Sequence, residues 1–197
     1  MKIIMKRNIG TILCLIVIVA LLPSLMMVAR SQTTFAPSSD PQAFTNMTEE
    51  QRAQAAENMT QNEKEMIMKE FSKQNATVNE NMNEATMANN TMTLLGNFVD
   101  AGDGFHKAEG IAKVINLVDG RTFLRLENLK TTNGPDLYVY LSVGKDASDI
   151  VNLGRLKGNI GNQNYEIPAG TDLSKYNTVL IWCKAFSTLF GSAKLSS

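Results

Sequence analysis

Reactive chemistry in this chain is confined to very few side chains: two cysteines and one histidine. Cys183 sits in the run Val179-Leu-Ile-Trp-Cys-Lys-Ala-Phe186, whereas Cys14 sits in an apolar N-terminal segment. An unpaired thiol can cycle through sulfenic acid or a mixed disulfide when it is exposed, ionised and close to a cation. It can also ligate a metal or haem, with His106 as the one histidine able to join it. A single histidine cannot complete a His-Cys-His copper set within one copy, and no Cys-x-x-Cys-His is present for covalent haem. No metal site is therefore assigned, and the cofactor stays open. The competing reading is structural: a free cysteine among Val, Ile and Ala behaves as a small buried hydrophobe of low reactivity. Strand alternation puts Val179, Ile181, Cys183 and Ala185 on one face and Leu180, Trp182, Lys184 and Phe186 on the other. Lys184 must reach water, so the Cys183 face is expected to look into the core.

Other candidates are weaker. Asn46-Met-Thr, Asn58-Met-Thr, Asn75-Ala-Thr and Asn89-Asn-Thr are glycosylation acceptor triplets, and all four fall between residues 31 and 94. Methionines crowd the same stretch, but Met66-Ile-Met68 is its one tight pair, so filler on a helix face is the expectation. Asp100, Asp103, Asp146 and Asp149 match no EF-type loop and read as solvated surface. Gly-x-Ser-x-Gly, His-Glu-x-x-His, the P-loop and Gly-x-Gly-x-x-Gly are all missing. No recognised catalytic motif remains.

The elements that must position Cys183 fall into three zones beneath a formal net charge of zero. In residues 1–30, Lys2, Lys6, Arg7 and Arg30 stand without an acid, and no charge interrupts Asn8 to Ala29. About 20 apolar residues match a hydrocarbon core of about 30 Å. A single-pass signal-anchor through residues 9–29 is expected, with the basic flank inside and the rest of the chain outside the cytoplasm. Residues 31–94 form an acidic Asn/Thr/Met-rich spacer: Pro37 and Pro41 mark a linker, and Thr48-Glu-Glu-Gln51 has the spacing of a capping box. The thin apolar stripe that follows predicts a helix that is marginal alone or packed on a partner. Residues 95–197 switch to short alternating segments and turns, including Asp119-Gly120 and Asn133-Gly-Pro-Asp136. Six to eight strands without helical pattern between them predict an all-β domain, an antiparallel sandwich or a partly open barrel. No zone is a basic stripe, which argues against nucleic acid as a partner.

An ordered series of blocks carries a family resemblance. His106-x-x-x-Gly110, Leu124-Arg-Leu-Glu-Asn-Leu129, Asn133-Gly-Pro-Asp-Leu-Tyr-Val-Tyr140, Leu153-Gly-Arg-Leu-Lys-Gly158, Asn162-Gln-Asn-Tyr-Glu-Ile-Pro168 and Val179-Leu-Ile-Trp-Cys183 run through about residues 96–195. Together with Phe186 and Phe190-Gly, they resemble the DM-thirteen (electron-transfer DM) domain of the membrane-anchored prokaryotic type. The resemblance implies a β-rich extracytoplasmic module with a redox role centred on the family's cysteine, here Cys183. Two readings follow from it. The first is an accessory of extracytoplasmic electron transfer or thiol redox chemistry acting on a redox partner. The second is a non-catalytic cell-surface binding module in which Cys183 is packed.

Overall fold

The computed structural model describes residues 41–82 and 92–197. The expected anchor at residues 9–29, Cys14 and Asn89 lie outside the described residues. No helix among the described residues is long and apolar enough to cross a membrane.

Among the described residues, three short helices come first: α1 (Pro41–Thr45), α2 (Glu49–Asn58) and α3 (Gln61–Phe71). The Thr48 hydroxyl accepts from Gln51 N–H while the Gln51 side chain accepts from Thr48 N–H, the reciprocal bonding that the spacing predicts. Thr60 and Glu63 repeat the device at the start of α3, so the expected single stripe is two helices broken at Met59. Neither helix stands alone. Phe44, Ala55, Ala56, Ile67 and Phe71 are buried in the same hydrophobic cluster as the β domain.

Nine strands follow: β1 (Thr77–Asn79), β2 (Met92–Asp100), β3 (Ala108–Asn116), β4 (Thr122–Thr131), β5 (Leu137–Ser142), β6 (Ile150–Arg155), β7 (Ile160–Ile167), β8 (Thr178–Cys183) and β9 (Thr188–Lys194). They form one sheet in the order β1-β7-β4-β3-β2-β9-β8-β5-β6. All pairings are antiparallel except β1 with β7. The sheet curls into a half-barrel because β2 serves two neighbours. Its first part, to Asn97, pairs with β3, and Phe98–Asp100 pair with β9. Gly96 marks that switch: a Cβ there would run into the Lys194 carbonyl. Gly110 sits at a bulge between β3 and β4 with φ +119°, where a Cβ would come within 2.8 Å of two carbonyl oxygens.

The concave side holds the main core, with Val114, Leu124, Leu126, Val139, Leu141, Val179, Ile181 and Phe190 fully buried. A second, smaller cluster of Tyr138, Tyr140 and Leu180, flanked by Trp182 and Leu189, covers the outer side of β5 and β8. The spacer is thus no free linker from Pro41 to Glu80. After α3, Ala76 N–H donates to the Asn159 side chain, β1 extends the sheet beside β7, and Glu80 accepts from Asn164 N–H and Lys157.

Candidate functional site

Cys183 ends β8 on the core face, fully buried with Val179 and Ile181. Burial is the largest influence on its thiol and drives the pKa up to about 12. The negative charge of Asp136 acts in the same direction, while backbone N–H groups, that of Phe186 foremost, favour the thiolate without prevailing. At neutral pH the side chain is a thiol, and the nucleophilic form is suppressed. On the opposite face, Leu180 is fully buried too, and Phe186 turns inward. Alternation fails there for two reasons: the Tyr138–Tyr140 cluster covers the outer side, and β8 stops at Cys183, so a turn redirects Phe186.

Three side chains from the helices close over this end. The Phe44 ring packs on Phe186 at a centroid distance of 5.4 Å. Glu49 bonds both Lys184 and the Tyr138 hydroxyl, and these hydrogen bonds, Lys184 first, hold its carboxyl below the ordinary range. Arg52, itself buried, brings its Nε to 3.0 Å from Asp136 Oδ1 without hydrogen-bond alignment and anchors Nη1 on the Met47 carbonyl at 2.5 Å. Asp136 is 2% exposed and also pairs with Arg155. The Asn133-Gly-Pro-Asp136 turn therefore carries a buried carboxylate between two guanidinium groups. One of these comes from the spacer.

His106 occupies a different setting. Its Nδ1 lies 2.5 Å from Asp103 Oδ2, and its Nε2 lies 3.4 Å from Met68 Sδ on α3. The Phe190 ring lies against the imidazole at 4.1 Å and Phe105 meets it edge-on at 4.9 Å. The ring is 4% exposed. Its two nitrogens are occupied by Asp103 and Met68, so the structure does not make it a partner of Cys183. A cavity of about 430 Å³, lined by Gln61, Glu65, Phe105 and Thr188, opens beside Met68 and His106.

The remaining candidates are spread out. Asn46, Asn58 and Asn75 are exposed on the helical segment, and Asn58 donates to the Gln54 carbonyl. Asp100 bonds Lys107 and Ala108 N–H, Asp146 bonds Ser148, and Asp149 bonds Lys175 and Tyr176. Among the described residues, no group of three or more His, Cys, Asp or Glu side chains could hold a metal ion.

The model of the electron transfer DM13 family matches residues 98–195. These residues belong to that family. No curated protein and no solved structure matches the chain. The DM13 domain begins within β2 and ends just after β9, so α1–α3, β1 and the first two thirds of β2 lie outside it. Arg52 escaped the sequence reading, and Met68 was read only as filler on a helix face, because each acts on a DM13 residue far along the chain, Asp136 and His106 respectively. The local signal available was the capping box at Thr60-Gln-Asn-Glu63, which marks α3 and so brings Met68 onto a helix.

Proposed function

We propose that this chain is a membrane-anchored, outward-facing accessory of electron transfer, held through residues 9–29, with Cys183 as its redox thiol. Membership of the electron transfer DM13 family is the observation that carries this reading. The burial of Cys183 adds a condition: the thiol reacts only when the α1–α2 contacts on Phe186, Lys184 and Asp136 lift. In the open form a Cys183 thiolate would attack a partner's disulfide. A new S–S bond forms, the partner's bond breaks, and the released sulfur takes the proton that Cys183 gave up. Exposed Asn46, Asn58 and Asn75 support a glycosylated, extracytoplasmic spacer.

A second reading is favoured by one observation, the complete burial of a thiol whose ionisation is pushed up to about 12. In it, Cys183 is packing, and the domain binds a surface partner through its loops. Maleimide labelling in a Cys14→Ser background separates the two. The redox reading expects slow labelling of the native protein that still outpaces global unfolding, because a local opening suffices. Labelling of Cys183 only at the rate of global unfolding sinks it and leaves the binding module.

A further inference from the structure

The contact between His106 and Met68 joins two atoms with lone pairs. Asp103 accepts from Phe105 N–H at 3.0 Å and His106 N–H at 2.8 Å as well as facing Nδ1. A carboxylate that already takes two backbone N–H groups is an acceptor, so Nδ1 faces it as the donor. Nε2 points at the Met68 thioether, which has no proton to give. The pair is enclosed by Phe105 and Phe190, with the side chain of His106 5% exposed and Met68 7% exposed.

We propose that His106 Nε2 and Met68 Sδ form a binding site for one soft monovalent cation of the Cu(I)/Ag(I) class. Thioether and imidazole together select that class over hard cations. At 3.4 Å apart, Nε2 and Sδ are close enough for one ion to bond both. The Asp103 carboxylate behind the imidazole is the usual outer partner of a ligating histidine and orients the ring. The adjoining cavity supplies an entry path. Since Met68 belongs to α3 and His106 to the DM13 domain, the cation would also clamp the helical segment to the domain. This inference is independent of the Cys183 reading.

His106 being the sole histidine makes the test direct. The full-length chain, with Cys14→Ser and Cys183→Ala to remove competing thiols, is titrated with Ag(I) in chloride-free buffer and followed by proton NMR. The imidazole C–H resonances and the Met68 methyl resonance are expected to move together and to stop moving at one equivalent. Met68→Leu, close in volume to the original, should weaken Ag(I) binding at least tenfold, and Asp103→Asn by about 10- to 100-fold. Met66→Leu, on the exposed side of α3, should leave binding unchanged. Imidazole resonances that stay in place at one equivalent overturn the proposal. So does a folded Met68→Leu that binds as tightly as its parent.

Discussion

The Cys183 end and the His106 end of the domain are both buried, yet they are buried in opposite ways. Cys183 is enclosed by hydrocarbon and by a carboxylate that disfavours its charge, so its environment silences the group. His106 is enclosed with one nitrogen bonded to a carboxylate and the other facing a thioether beside a cavity, so its environment prepares the group. Burial alone therefore says little about function; what matters is which form of the side chain the surroundings favour. Both ends are finished by residues from outside the family domain, Phe44, Glu49 and Arg52 at one and Met68 at the other.

Phe44→Ala should widen the contrast most. Removing a fully buried ring should cost about 3–5 kcal/mol in urea denaturation and speed maleimide labelling of native Cys183, while the His106 resonances stay put. Arg52→Met comes next, with a loss of about 3 kcal/mol, because Asp136 keeps only the half-exposed Arg155. A smaller effect isolates the thiol itself. Its folded pKa lies above its unfolded value, so the native state holds the proton more tightly. This stabilisation is complete below about pH 9 and is lost progressively as the pH rises toward 12. Between pH 9 and 10, the wild type should lose stability faster than Cys183→Ala, approaching about 1.4 kcal/mol per pH unit; equal slopes would show that the thiol is not insulated. Glu49→Gln should do least, under about 0.5 kcal/mol, since its ion pair with Lys184 is exposed and a Gln can still accept from the Tyr138 hydroxyl.

The parts legible in the sequence are those written in local order. The six to eight strands expected from alternation and turn residues match the eight strands β2–β9, because adjacent strands joined by a tight turn such as Asp119-Gly120 need only short-range information. The inward face of β8 follows from Lys184 in the same way. β1 was not legible: Thr77–Asn79 carries no apolar repeat, and its partner β7 lies some 80 residues on. The docking of the helices was equally hidden. Arg52 reads as an ordinary solvated helix residue until the fold brings Asp136 beneath it. At the candidate sites, residue types pointed to Cys183 and His106, but their environments depend on Phe44, Asp136 and Met68, which only tertiary packing assembles.

The pairing of β2 with β9 has a consequence for the order of events during synthesis. These strands open and close the DM13 domain, and Leu95 is still bonded to Ser196 beyond them. The centre of the sheet is therefore made by its two sequence ends, a contact of the slow, long-range kind. Until β9 has been made, β8 keeps an unpaired edge, and Cys183 faces Thr188 of a strand that does not yet exist. Cys183 and β9 are made within a few residues of each other, so the thiol is covered only when this last strand closes the sheet, and the speed of that closure sets how long it stays open.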